Sequence, residues 1–292
     1  MKFKRALAIP VLVATAALTL TACGSDDDSA SGTVVKIGTT DKDSSWDVFE
    51  RKAEEQGITL KVTNFTDYKA PNLALAQKQI DVNLFQHLQF LGSYNVANND
   101  TLTPIGATYI VPLGLYSKKH KSLADIPAGG EVTVPNDPTN QARALFVLQA
   151  AGLVKLNGDA KQPSPADIDK AASKVKVTPV DAAQTALSLA SVDGAVINNT
   201  FLERSGIDPQ SALYKDDPRN PSAEPYINAL VTRAESKNDP TLLKLVQIYH
   251  DPEVEAAHAQ VTKNTAVSVT RSGPELEAIL ARVQQGIRDG GK

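Results

Sequence analysis

Short β-rich runs alternate with helical patterns along almost the whole chain, and this alternation limits the fold more than any other feature. Residues 33–38 (TVVKIG) read as a buried strand that ends in a polar loop at 39–45. A helical pattern over 46–56 follows and is stopped by Gly57. Residues 58–65 alternate as a strand, 71–78 look helical, and 80–85 form another short strand. Further on, strands are expected at 131–134, 175–178 and 194–197, each followed by a helix, at 139–152, 181–190 and 200–204. From residue 239 the chain is mostly helical. Strands that alternate with helices predict an α/β architecture with largely parallel sheets.

Two passages, 108–116 and 225–232, read as long and extended, and they flank a self-contained βαβ block. They predict a chain that crosses twice between lobes, with the second lobe inserted into a discontinuous first. Lobe I is expected over 33–111 and 229–292, and lobe II over 112–228 including the crossings. In such α/β proteins a ligand binds at the carboxyl ends of the strands, here facing a cleft between the lobes.

The N-terminus carries a different signal. Lys2, Lys4 and Arg5 precede an apolar stretch over 6–20, and small residues lead to Cys23. A basic start, a short apolar core and a small-residue cleavage site make 1–22 a secretory signal peptide. The apolar stretch is too short for a comfortable bilayer span. The ending Leu20-Thr21-Ala22-Cys23 resembles the lipobox of bacterial lipoproteins, in which the cysteine is lipidated and becomes the mature first residue. Cys23 is the only cysteine, so its lipidation leaves no thiol for a disulfide or for catalysis. Residues 23–32 are rich in Gly, Ser and Asp and should form a flexible tether between the lipid anchor and the folded body. The expected location is the outer face of a cell membrane, held there by the lipid.

Charge and motif content narrow the function. Removing the 22 leader residues from 292 leaves 270, with 27 basic against 33 acidic residues and a net charge of −6. That balance lacks the basic field of a nucleic-acid-binding protein. The four histidines, His87, His120, His250 and His258, are scattered with no close ligand pair, which argues against a metal receptor. No Gly-x-Ser-x-Gly elbow occurs and no free cysteine remains, which argues against a hydrolase. Asp216-Asp217 beside Pro218 reads as a solvated turn. A receptor without catalysis, cofactor or bound metal is the expectation.

Val134-Pro135-Asn136-Asp137-Pro138-Thr139-Asn140-Gln141-Ala142-Arg143 is the most informative internal motif. Asp137 can cap a helix that starts at Pro138, directly after a strand. Such a helix end, with Arg143 in its first two turns, can receive a carboxylate or phosphate. The same residues fit an ordinary capped helix with a surface arginine, and spacing alone leaves both open.

Several segments in the same order resemble the NlpA-type family of methionine-binding lipoproteins, the receptors of methionine ABC importers. They are the motif above together with Phe65-Thr66-Asp67-Tyr68-Lys69-Ala70-Pro71-Asn72, Ile80-Asp81-Val82-Asn83-Leu84-Phe85-Gln86-His87 and Pro112-Leu113-Gly114-Leu115-Tyr116-Ser117-Lys118-Lys119. Ala195-Val196-Ile197-Asn198 and Pro225-Tyr226-Ile227-Asn228 complete the set. The resemblance implies a two-lobe periplasmic-binding-protein fold of type II-like plan, with methionine or a close derivative clamped in the cleft and delivered to an ABC permease. Residue by residue, it implies that Arg143 pairs with the ligand carboxylate and that Asn198 and Asn228 bond the amino-acid backbone. Tyr68, Phe85 and His87 would line the pocket for the thioether, since polarizable rings suit a soft sulfur. Phe90 stands where the family usually has a tyrosine, and the loop 40–45 lacks the family's Gly/Pro-rich sequence. Both departures admit a reshaped pocket, so a methionine-containing dipeptide is the alternative ligand, and a metal ion a more distant one. Each residue also has a bland role: Phe85 and Phe90 as core, His87 as a structural histidine, Asn198 as a helix cap, and Asn228 as a backbone partner.

Overall fold

The computed structural model describes residues 32–290. The expected signal peptide, Cys23 and the tether up to residue 31 lie outside the described residues. The chain opens with β1 (Thr33–Thr39), α1 (Ser45–Glu54), β2 (Ile58–Asn64), α2 (Ala70–Ala76), β3 (Val82–Asn83), α3 (Leu88–Asn98), β4 (Thr103–Ala107) and β5 (Tyr109–Ile110). It continues through β6 (Gly114–Tyr116), β7 (Gly130–Pro135), α4 (Pro138–Ala150), β8 (Val175–Val180), α5 (Ala182–Ser188), β9 (Gly194–Ile197) and β10 (Tyr214–Lys215). It closes with β11 (Ala229–Thr232), α6 (Pro240–Tyr249), α7 (Pro252–Val261), β12 (Val267–Ser268) and α8 (Gly273–Arg288).

Two five-stranded sheets form two lobes. The first has the order β2-β1-β3-β11-β4, and the second β10-β6-β9-β7-β8. β1 pairs with β2 and β3 in parallel, whereas β11 runs antiparallel to both β3 and β4. In the second sheet β7 pairs in parallel with β8 and β9, and β6 runs antiparallel to β9 and β10. The largely parallel α/β architecture read from the alternation is therefore present in both lobes.

Each sheet is covered on both faces, as parallel sheets require. In the first, Leu230 joins a core with Ile37, Phe49, Leu60, Leu245 and Ile248, while its neighbour Val231 joins one with Leu75, Leu91, Leu276 and Leu280. In the second, Val196 packs with Val132, Val147 and Leu148, while Ala195 and Ile197 pack with Ala186, Leu189 and Phe201. Adjacent strand residues point to opposite faces, so fully buried strands read as continuous apolar runs.

Three local expectations differ from the structure. The segment 225–232 is not extended throughout: Pro221–Tyr226 forms a 3-10 helix, and only Ala229–Thr232 is strand. Pro221 and Pro225 lack the N–H groups a continuous ladder would need, and Ala223, Tyr226 and Ile227 pack against the core that holds Leu276 and Leu280. The expected helix at 200–204 is two short 3-10 turns, Asn199–Phe201 and Glu203–Ser205. The strand expected over 80–85 shortens to two residues.

The passage 108–116 divides into β5, which pairs with β12, and β6 in the second sheet. Val111, Pro112 and Leu113 therefore connect the lobes. The return connection runs between β10 and β11. No described helix is long and apolar enough to cross a membrane.

Candidate functional site

A pocket opens between the lobes, lined by residues from both of them. All seven residues singled out from the sequence, Tyr68, Phe85, His87, Phe90, Arg143, Asn198 and Asn228, line it. They come from six separate places in the chain. Tyr68 precedes α2, Phe85 and His87 follow β3, Phe90 lies in the first turn of α3, and Arg143 is on α4. Asn198 directly follows β9, and Asn228 directly precedes β11.

Helix α4 begins as its sequence dictates. Pro138 occupies the first turn, and the Asp137 carboxylate accepts from the Asn140 backbone N–H at 3.0 Å. The Thr139 hydroxyl also donates to Asp137, at 3.0 Å. The helix end is thus taken by a resident carboxylate, which corrects the reading of that end as an open anion site. Burial pushes the Asp137 carboxyl above its ordinary value, while its hydrogen bonds from Asn140 and Thr139 act in the opposite direction. The contact available to a ligand anion on this helix is Arg143.

Arg143 is buried, with only 4% of its surface exposed. Its Nε donates to Asp216 Oδ2 at 2.6 Å, and Nη2 donates to Asp216 Oδ1 at 3.1 Å and to the Val111 carbonyl at 2.9 Å. The Tyr226 ring lies under the guanidinium, 4.1 Å from its carbon to the ring centroid. Asp216 Oδ1 also accepts from the Leu113 N–H at 2.8 Å. The reading of Asp216 as part of a solvated turn is thereby corrected, because its carboxylate binds the pocket arginine and a lobe connection together. Its partner is 73 residues away, and no local pattern announces the pair.

Asn140 is the second residue that the sequence reading missed. It is buried, and its Nδ2 donates to both oxygens of Asp137, at 3.1 Å each. That turns its Oδ1 toward the cleft, where Asn198 Nδ2 donates to it at 2.9 Å and His87 Nε2 approaches to 3.3 Å. The available signal was spacing: Asn140 precedes Arg143 by three positions, so the two share one helix face. Gln86 and Thr200 complete the polar part of the wall.

His87 caps α3, accepting from the Phe90 N–H at 3.1 Å through Nδ1. That bond makes Nδ1 the acceptor, so Nε2 carries the proton and donates to Asn140. Burial, reinforced by the nearby Arg143 charge, lowers its pKa to about 3 and keeps the ring neutral. Asn198 does not cap the 3-10 turn that follows it, since its side chain makes no capping bond. Its Oδ1 is buried without a hydrogen-bond partner among the described residues. A buried acceptor left unpaired costs free energy that a donor on a ligand would offset. Asn228 is held by its backbone, with its N–H on Tyr109 O and its carbonyl receiving Thr108 N–H.

The rings form the other wall. Tyr68 lies 6.1 Å from Phe85, 5.9 Å from Phe90 and 5.4 Å from Phe201 between centroids, and Phe85 lies 5.8 Å from Phe90. Phe201, which does not line the pocket, belongs to the second lobe's core, so Tyr68 packs against rings of both lobes. Burial pushes the Tyr68 phenol well above its usual range, and it stays protonated. One side of the pocket therefore offers charge and amide groups, and the other polarizable rings. Among the described residues, no three His, Cys, Asp or Glu side chains are gathered as a metal would need.

The D-methionine-binding lipoprotein MetQ of Salmonella typhi is 34% identical over 271 residues, covering 91% of this chain and 98% of that one. The substrate-binding protein of a methionine transporter from Streptococcus pneumoniae has a TM-score of 0.75 at 36% identity, over 81% of this chain and 95% of that one. A nutrient-binding protein from Burkholderia cenocepacia, solved bound to methionine, has a TM-score of 0.74 at 37% identity, over 80% of this chain and 99% of that one. The family model for NlpA lipoprotein matches residues 35–270, and the chain belongs to that family.

Proposed function

We propose that this protein is the lipid-anchored, extracytoplasmic substrate-binding protein of an ABC importer, and that it takes methionine or a close derivative into the interlobe pocket. The observation that carries the reading is the meeting of three complementary features in one cavity. Arg143 supplies a cation for a carboxylate, Asn198 Oδ1 a buried acceptor for an ammonium, and Tyr68, Phe85 and Phe90 a ring-lined wall for a thioether. A zwitterionic amino acid with a soft apolar side chain satisfies all three.

The mechanism is closure. Ligand-binding groups come from both lobes, so a ligand that contacts all of them favours the closed arrangement by its differential affinity. Closed protein is the form that docks on the permease and releases its cargo for uptake. The protein acts by binding and carries out no catalysis. The anchor at Cys23 keeps the body within reach of the permease through the tether.

Mass spectrometry of small molecules released on denaturing the purified protein tests this reading, together with calorimetry on free methionine and on methionine-containing dipeptides. Methionine as the released and tightly bound species is the expected result. A dipeptide that binds far more tightly than methionine moves the reading to the alternative ligand, with Phe90 as the first residue to examine. Binding of neither overturns it.

A further inference from the structure

We propose that Asp216 is a positioning residue that sets ligand specificity: by holding and neutralising Arg143, it tunes the cleft to a zwitterion in preference to a plain carboxylate. This rests on the amino-acid reading of the cleft given above. Asp216 takes one edge of the guanidinium as a fork, at 2.6 Å to Nε and 3.1 Å to Nη2. Nη2 is further occupied by the Val111 carbonyl. Nη1 makes no hydrogen bond among the described residues, so a ligand carboxylate meets Arg143 at that corner. The geometry is fixed from both lobe connections. Asp216 binds the Leu113 N–H in one, and Tyr226 of the other stacks on the guanidinium.

Charge supplies the specificity. A buried arginine with no counterion would leave the cleft at one positive charge and favour any anion that fits. With Asp216 bound, the pair sums to zero, and the remaining polar walls are neutral amides, the hydroxyls of Tyr68 and Thr200 and the neutral His87 ring. A net-neutral ligand that carries both charges suits such a cleft, and its ammonium finds the unpaired Asn198 Oδ1. An anion without the ammonium brings an uncompensated charge and leaves that acceptor empty. Specificity is a difference of affinities, and Asp216 acts on the competing ligand as much as on the preferred one.

The test uses the full chain with Asp216→Asn, which keeps shape and removes charge. The probes are methionine and 4-(methylthio)butanoate, which keeps the side chain and carboxylate but lacks the amine. Calorimetry should show a strong preference for methionine in the wild type, narrowed by about tenfold or more in Asp216→Asn. Asp216→Glu, which retains the charge, should recover much of it. If both affinities fall alike and their ratio holds, Asp216 serves packing alone and the proposal is overturned. A ligand-free measurement runs beside this: the Arg143 Nε–H, assigned by its loss in Arg143→Lys, should be protected from hydrogen exchange in the wild type. Its absence there overturns the proposal even if Asp216→Asn fails to fold. A wild type that binds neither probe refutes the methionine reading instead, and the exchange signal then decides the role of Asp216 by itself.

Discussion

His87 Nε2 lies 3.3 Å from Asn140 Oδ1, a contact that ties the loop after β3 in the first lobe to the first turn of α4 in the second. The Phe90 N–H donates to the other ring nitrogen, so the bridge and this cap coexist only while the imidazole is neutral with its proton on Nε2. The fold thus makes the charge state of one buried histidine a condition for the geometry of the cleft.

A pH dependence of stability follows. Burial first, and the Arg143 charge second, lower the His87 pKa from 6.5 to about 3. Between those values the unfolded chain binds a proton that the folded chain does not. Stability from this group therefore rises with pH through the window, is complete above about 6.5, and is lost as pH falls toward 3. The slope is at most about 1.4 kcal/mol per pH unit. Buried His258, also lowered, adds in the same sense, whereas Asp41 and Asp137, raised by burial, oppose it. The clean measurement is the difference between wild type and His87→Gln in denaturant melts across the window. The variant should show the flatter profile, and equal slopes would mean that His87 titrates normally.

Arg143→Ala should weaken methionine binding by well over tenfold. Truncating one partner of a buried charged pair costs about 2–5 kcal/mol or more, part of it from the charge left behind. Here that charge is Asp216, so the variant should also melt earlier than the wild type. Calorimetry and a thermal melt check the two effects separately. Near-native affinity would remove Arg143 from the ligand site.

On the lipoprotein reading proposed above, Cys23→Ala should move the protein out of the membrane fraction while leaving ligand affinity intact, because Cys23 precedes the first strand, which opens at Thr33. Fractionation with mass analysis of residue 23 is the check. Membrane association that persists without acyl mass on Cys23 would be incompatible with the lipobox reading.

Much of this was legible in the sequence because fully buried strands announce themselves. β9 is buried at all four positions and β7 at all but Glu131, and the helices after β7 and β8 are capped by the recognisable residues Asp137 and Asp181. Helix α3 was harder. Its buried Leu88, Leu91, Gly92 and Asn95 have helical spacing, but Gly92 reads as a breaker. In the fold that glycine serves close approach, since a Cβ there would lie 2.5 Å from Val283 of α8. Arg143 and His87, which line the pocket, were reached through the resemblance of the segments that hold them, since spacing alone left the role of Arg143 open. Asp216 was not, because its meaning comes from Arg143, Leu113 and the lobe connections, which only the folded chain brings to it.

The two ends of the ligand should contribute unequally. Sulfur–aromatic contacts are worth about 0.3–1.5 kcal/mol, so norleucine, which keeps the shape of methionine without its sulfur, should bind roughly tenfold weaker at most. The wall of Tyr68, Phe85 and Phe90 still buries its apolar chain. Methioninol keeps the thioether and the amine but has no carboxylate, so it leaves the free corner of Arg143 unmatched in a buried site. Losing a charge-assisted partner there costs more than losing a sulfur contact. The expected order by competition calorimetry is methionine, then norleucine close behind, then methioninol far below. Methioninol that matched methionine would show that the carboxylate end does not meet Arg143, and norleucine that fell below methioninol would place the dominant recognition on the aromatic wall.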